Sequence, residues 1–157
     1  PVGVHMIYVH DARELEKAVN AQYDDCDALV MAAAVSDYRP AVRAENKIKK
    51  EQHDHLNIEL TENPDILYGL GQKKTHQFLV GFAAETRDVI EYGKAKLAKK
   101  NLNLLVANDV AQQGAGFNVS TNIAALIYKD GHIEQYLKMT KDDLGHIIIE
   151  KIAEGIN

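Results

Sequence analysis

One cysteine, Cys26, is all that the 157 residues contain. No internal disulfide can form and no second thiolate is present to complete a zinc ribbon, so burial must hold this fold together. Long apolar runs are missing too. The longest, Ala28 to Val35, is far short of the roughly 20 residues of a membrane span. No basic-then-apolar leader opens the sequence, and the expectation is a cytoplasmic protein with no membrane partner. Excess positive charge is also lacking. Eighteen Lys and Arg stand against 23 Asp and Glu, a net charge of -5, with a pI near 5.8. That argues against a nucleic-acid partner, whose backbone demands a broad cationic surface. The sequence has no Gly-x-Ser-x-Gly elbow and no Walker loop, which leaves serine-hydrolase and P-loop chemistry without support. It has no Gly-x-Gly-x-x-Gly turn either, and Gly114-Ala115-Gly116 is not followed by a helix start, so a dinucleotide-dependent oxidoreductase has no footing.

What is present is enough for one core. At 46% apolar content, the chain supports a single domain over residues 1–157 and too little for two. Val4 to Val9 reads as a strand, followed by an Asp11-x-x-Glu14 helix start with Leu15, Ala18, Val19 and Tyr23 on one face. Asp27 to Val35 is nearly all apolar, the pattern of a strand buried on both faces of a parallel sheet. Pro40 to Asp54 is polar, Lys-rich and without period, and reads as a mobile flap. Leu56, Ile58 and Leu60 alternate with polar residues as in a half-exposed strand. Asn63-Pro64 has the form of an N-cap with proline at the first helical position, opening a helix through Leu70.

A strand from Gln77 to Ala84 comes next, then a helix from Thr86 to Lys100 with Val89, Ile90, Gly93 and Leu97 inward, then a strand from Leu104 to Ala107. Ile123 to Tyr128 and His132 to Leu137 flank Asp130-Gly131, a strong hairpin signal. Thr140 with Asp143 starts a last helix, striped with Leu144, Ile147, Ile148 and Ile152. The order predicts an α/β, Rossmann-like three-layer fold with a mainly parallel sheet, plus a C-terminal β-hairpin and helix.

In open α/β sheets, ligands bind beyond the carboxyl ends of the strands, where loops and helix N-termini converge. Three strand ends are distinctive: Ala32 to Arg39, Gly81 to Thr86, and Val106 to Asp109. Their small residues permit close approach of a ligand to the backbone, and Asp37, Glu85 and Asp109 are suited to ribose hydroxyls or a magnesium ion; the same alanines equally suit plain packing against helices. Lys47-Ile48-Lys49-Lys50 is placed to reach over a triphosphate, or is a solvated loop. Lys96 and Lys100, four apart on one helix face, can clamp phosphate oxygens or form an ordinary surface pair. Asn63-Pro64-Asp65-Ile66 offers free N–H groups to an anion or base edge, or is only a helix cap. His53-Asp54-His55 has no third ligand nearby, and no metal site is assigned to protein residues. Asn118-Val119-Ser120 fits a glycosylation acceptor, which has no significance without a secretory leader.

Five strings, in order, closely resemble the bacterial phosphopantothenate-cysteine ligase family: Ala33-Ala34-Val35-Ser36-Asp37-Tyr38-Arg39, Lys47-Ile48-Lys49-Lys50, Asn63-Pro64-Asp65-Ile66, Gly81-Phe82-Ala83-Ala84-Glu85-Thr86 and Val106-Ala107-Asn108-Asp109. The similarity spans essentially the whole chain. It implies CTP-dependent ligation of L-cysteine to 4′-phosphopantothenate in coenzyme A biosynthesis. An acyl-cytidylate forms with release of pyrophosphate, cysteine then displaces CMP, and Mg2+ assists the first step. By position in the matching motifs, the nucleotide is expected to contact Ala32, Ala33, Asp37, Lys47, Pro64, Asp65, Ile66, Leu67, Phe82, Lys96 and Lys100. Lys47 is the catalytic candidate, acting by charge rather than as a base. The resemblance also implies a homodimer built through the later strands, with a flap reaching toward the partner. A fused flavin-dependent decarboxylase would carry FMN outside this chain. The family's Gly-rich opening turn and its Ser-Ser-Gly segment have no counterpart here, and the sequence opens at Pro1-Val2-Gly3 straight into a predicted strand. It reads as a piece of a longer ligase, inactive alone. The competing reading is a noncatalytic nucleotide-binding or regulatory module.

Overall fold

In the computed structural model, residues 2–49, 55–85, 88–109 and 119–156 are described. Four helices and seven strands are found among them. They are α1 (Ala12–Tyr23), β1 (Ala28–Met31), β2 (Tyr38–Pro40), β3 (Leu60–Glu62), α2 (Ile66–Lys73), β4 (Phe78–Glu85), α3 (Val89–Lys99), β5 (Leu104–Asp109), β6 (Thr121–Tyr128), β7 (Ile133–Thr140) and α4 (Lys141–Ile156). The main sheet runs β1-β4-β5-β6-β7, and β2 pairs with β3 in a separate two-stranded sheet. β1, β4 and β5 are parallel. The β6–β7 hairpin adds two antiparallel ladders at one side. This is the expected α/β architecture with its C-terminal hairpin and helix.

The three layers follow from the side-chain alternation of β4 and β5. Leu79, Ala83, Leu105 and Ala107 point to one face and pack with Tyr23, Leu67, Leu70 and Leu97 from α1, α2 and α3. Phe78, Val80, Leu104 and Val106 point to the other and pack with Leu144, Ile148 and Ile152 of α4. A strand buried on both faces has no polar positions to spare, because successive residues face opposite layers.

Local chemistry sets the helix starts. Asp11 Oδ1 accepts from the N–H groups of Arg13 and Glu14, both at 2.9 Å, while the Glu14 carboxylate reaches back to the His10 N–H at 2.7 Å. At α4, Thr140 Oγ1 accepts from the Asp143 N–H at 3.1 Å and donates to its carboxylate at 2.6 Å. The hairpin turn closes with Gly131 at φ +91° and with the His132 N–H donating to Asp130 Oδ1 at 2.9 Å. These are the cap and turn residues that the sequence marked.

Four expectations need correction. Val4 to Val9 forms no strand; Val4, Met6, Ile7 and Tyr8 are exposed, Tyr8 at 83%. The apolar run from Asp27 yields a strand of only four residues, and β1 lies at the edge of the sheet, so Val30 is 41% exposed rather than buried on both faces. Leu56 and Ile58 lie outside β3, and with Leu60 they are all more than half exposed. The cap of α2 is Asp65, not Asn63, with Asp65 Oδ1 accepting from the Tyr68 N–H at 3.1 Å. In each case the alternation or cap letter was right for a local structure, but neighbours decide whether a strand has anything to pair with or a side chain anything to cap. Of the stretch read as a flap, Pro40 to Asp54, Pro40 ends β2 and residues 40–49 are exposed, while Lys50 to Asp54 lie outside the described residues, as do Thr86, Arg87, Gly114-Ala115-Gly116, Asn118 and the side chains of Glu85 and Asp109.

α2 and α3 approach each other closely at Gly71, where an added Cβ would lie 2.0 Å from the Lys100 carbonyl oxygen. Asn101 Nδ2 donates to the Gly71 carbonyl there at 2.9 Å. Tyr23 anchors α1 to the same region, with its fully buried phenol donating to the Leu70 carbonyl at 3.0 Å. Burial, with smaller contributions from Cys26 and Asp24, pushes that phenol up to about 12. An acid whose pKa is raised on folding contributes stability in full below its unfolded value near 10, and loses it as pH rises toward 12. Tyr23→Phe is therefore expected to cost about 1–2 kcal/mol at pH 7. Urea titrations from pH 7 to 11 should show a flatter alkaline loss in the variant than in the parent; equal slopes would refute the assignment.

Candidate functional site

Beyond the carboxyl ends of β1 and β4 lies a cavity of about 590 Å³. Its floor is Met31 and Phe82 from the strand ends. One wall is the backbone-rich segment Ala33 to Asp37, and a second is the turn from Asn63 through Pro64 and Asp65 into the first residues of α2. The third wall comes from the last turns of α3, with Ala95, Lys96, Lys99 and Lys100. The site thus combines small residues that leave the main chain accessible, the N-terminus of one helix and three lysines of another. The first turn of any helix has N–H groups with no intrahelical acceptor; Asp65 takes that of Tyr68, and Ile66 and Leu67 line the cavity. Such a helix start favours negative charge.

Two loops are laced together at the mouth. The Asn63 N–H donates to the Asp37 carbonyl at 2.7 Å, and Asn63 Nδ2 donates to the Ser36 carbonyl at 2.8 Å. On the lysine wall, Lys100 Nζ donates to Asp65 Oδ1 at 2.7 Å, joining the end of α3 to the start of α2. Partial burial tends to raise the Asp65 carboxyl, but hydrogen bonds from Lys100 and from the Tyr68 N–H outweigh it and hold the group below the ordinary aspartate value. Lys94, by contrast, pairs with Glu91 at 3.1 Å and is not part of the wall.

Most of the residues singled out in the sequence come together here. Ala33, Asp37, Pro64, Asp65, Ile66, Leu67, Phe82, Lys96 and Lys100 all line the cavity. Ala32 does not; it lines a neighbouring apolar groove with Ile7, Leu15, Val19 and Leu29, a groove that Met31 and Ala33 also border. Lys47 is exposed on the stretch between β2 and β3 and is outside the lining. Lys99, which belongs with Lys94, Lys96 and Lys100 to a basic cluster suited to a local anion site but is not among the expected nucleotide contacts, also lines the cavity; its spacing of three from Lys96 puts it on the same helix face. Among the described residues no three His, Cys, Asp or Glu side chains converge as metal ligands, and no helix is long and apolar enough to cross a membrane.

The Asp65–Lys100 pair is about half exposed on the aspartate side, so its contribution to stability is of the order of 0.5 kcal/mol. A carboxyl with a lowered folded pKa stabilises above its unfolded value, near pH 4, and loses that stabilisation as pH falls through the folded value. Asp65→Asn preserves the cap and removes the charge. It is expected to leave stability at pH 7 within about 1 kcal/mol of the parent and to shrink the acid loss between about pH 5 and 3, read by thermal unfolding across that range. An unchanged acid limb would show that the pair has no energetic role.

Known proteins share the sequence and the fold. A family model described as the DNA/pantothenate metabolism flavoprotein C-terminal domain matches residues 1–156. The coenzyme A biosynthesis bifunctional protein CoaBC of Bacillus subtilis is 45% identical over 154 residues, which cover 98% of this chain and 38% of that protein. CoaBC of Vibrio parahaemolyticus is 44% identical over 156 residues, covering 98% and 39%. The crystal structure of the C-terminal domain of a CoaBC superposes with a TM-score of 0.78 at 35% identity, covering 97% of this chain and 66% of that one. The chain therefore spans about two fifths of the length of these curated relatives. Matched along nearly its whole length, and with the fold to go with it, the chain belongs to the family of DNA/pantothenate metabolism flavoprotein C-terminal domains.

Proposed function

We propose that this domain, as part of a longer polypeptide, is the CTP-dependent ligase that joins L-cysteine to 4′-phosphopantothenate in coenzyme A biosynthesis. The observation that carries the reading is the cavity itself, in which accessible backbone at Ala33 and the start of α2 face Lys96, Lys99 and Lys100. That is a site shaped for a polyanion with a flat base. The relatives, named for coenzyme A biosynthesis, supply the reaction class.

In this reading the phosphopantothenate carboxylate attacks the α-phosphorus of CTP. The bond to the β-phosphate breaks, and pyrophosphate leaves as the acyl-cytidylate forms. The cysteine amine then attacks the acyl carbon, loses a proton, and displaces CMP. Lys96 and Lys100 offset triphosphate charge, and on nucleotide binding Lys100 exchanges the Asp65 carboxylate for phosphate oxygens. Lys47 closes over the reacting phosphate from the exposed stretch between β2 and β3 and stabilises the charge that develops there. Main-chain groups of Pro64 to Leu67 and of Phe82 read the cytosine edge, while Ala32 and Ala33 allow close approach. Asp37 faces the ribose or metal side. Its carboxylate in the lining fits Mg2+, a hard cation that keeps several waters and takes few protein ligands beside phosphates. When bound, the ion supplies charge neutralisation at the phosphates.

The outer edge of β1, open among the described residues, and the exposed apolar residues Val4, Met6, Ile7 and Tyr8 support a further part of the proposal. The Gly-rich strand-to-helix segment implied by the resemblance pairs at this edge and completes the acyl-intermediate side of the site. The other open edge, β7, with Leu137 88% exposed, supports homodimerisation. Leu137→Lys is expected to raise the dimer dissociation constant at least about tenfold in sedimentation equilibrium; a parent that is monomeric at high concentration rejects the dimer.

The deciding experiment is calorimetric titration of CTP, with ATP as control, in the presence of Mg2+. Saturable CTP binding, weakened about tenfold by Lys96→Gln or Lys100→Gln, is expected. In the full-length protein, Lys47→Gln should lower turnover about 100-fold with little change in CTP affinity. ATP binding as tight as CTP, or full turnover in the Lys47 variant, would reject the respective assignment.

A further inference from the structure

We infer that Arg39 is a positioning residue for this site, acting through Asn63 without touching the ligand. The inference rests on the nucleotide reading above for its functional consequence, and on the hydrogen-bond geometry alone for the device itself. Arg39 lies in the middle of β2, opposite Thr61 of β3, and is half-buried. Its Nη1 donates to the Glu62 carbonyl and, at 3.1 Å, to Asn63 Oδ1. Both acceptors are neutral, and among the described residues no carboxylate pairs with this guanidinium. A guanidinium committed to a backbone carbonyl and an amide oxygen through its rigid fork fixes the geometry of both.

The consequence is transmitted by Asn63. With Oδ1 held by Arg39, the Asn63 amide has only one orientation that satisfies both ends, and Nδ2 is turned onto the Ser36 carbonyl at 2.8 Å. Its N–H closes onto the Asp37 carbonyl at 2.7 Å. Ser36 and Asp37 belong to one wall of the cavity, and Pro64 to Leu67 to the other. The distance between the walls, which a flat base must match, is therefore set where the β2–β3 ladder ends, at the residue that Arg39 grips. Arg39 itself is not in the lining. Both ends of the Asn63 side chain are engaged, so the base edge must be read by the main chain of the turn that follows.

Two readouts test this on the full chain. Hydrogen exchange of the Asn63 amide needs no ligand. Arg39→Gln is expected to speed it at least about tenfold, while amides of Leu79 and Leu105 in the central strands keep the parent rate; an unchanged Asn63 rate overturns the proposal. The second readout is CTP affinity in a double-mutant cycle with Asn63→Ser. If Arg39 acts through Asn63, each single variant weakens CTP about tenfold and the double variant is no weaker than the worse single one. Additive losses, or a reduced salt dependence of binding in Arg39→Gln, would mean a direct phosphate contact and overturn the positioning role. If the parent chain binds no CTP, the nucleotide reading fails, and the exchange measurement still decides whether Arg39 holds the two walls together.

Discussion

Burial of β4 and β5 on both faces is the constraint from which the rest of the structure follows. Leu79, Val80, Leu104, Leu105 and Val106 have no exposed surface, so each face of these strands requires its own helical layer. α1, α2 and α3 cover one face and α4 covers the other. Parallel pairing of β1, β4 and β5 brings their carboxyl ends to one rim, where the connections to α2 and α3 also begin. The cavity is the space left where those connections diverge.

The walls of that cavity are fixed by unequal means. On the lysine side, close approach at Gly71 and the Asn101 hydrogen bond hold α2 against the end of α3, so the Asp65–Lys100 contact joins two elements already locked by packing. On the opposite side, among the described residues, the exposed β2–β3 pair contributes to neither core cluster, and hydrogen bonds from Arg39 and Asn63 hold what burial holds elsewhere. A site with one rigid wall and one polar-laced wall is suited to a ligand whose arrival must rearrange contacts, since exposed hydrogen bonds cost little net free energy to exchange with a ligand's own.

Much of the architecture was legible because its signals are local. Asp11, Thr140 and Asp130-Gly131 are read correctly without any tertiary information, since a cap or a tight turn is decided within four residues. The apolar stripes of α3 and α4 and the solid apolar runs of β4 and β5 likewise carry their burial in their spacing. The errors cluster where an element depends on a neighbour. Among the described residues, Val4 to Val9 has strand composition but no strand beside it and β1 is apolar but has a partner on one side only, while Asn63 has a cap's acceptor but engages it with Arg39.

The sequence by itself determined the helices and the central strands, their order, the helix face that carries Lys96 and Lys100, and the family, because periodicity, caps and motif order are properties of the chain read along its length. Only the tertiary structure decided that Ala33 and not Ala32 faces the cavity, that Lys99 belongs to it, that Lys100 is held by Asp65, and that Arg39 grips Asn63 across 24 residues of sequence. Those facts depend on which segments meet in space, and contacts between distant segments are set by the packing of the sheet and its helices rather than by any local run of residues.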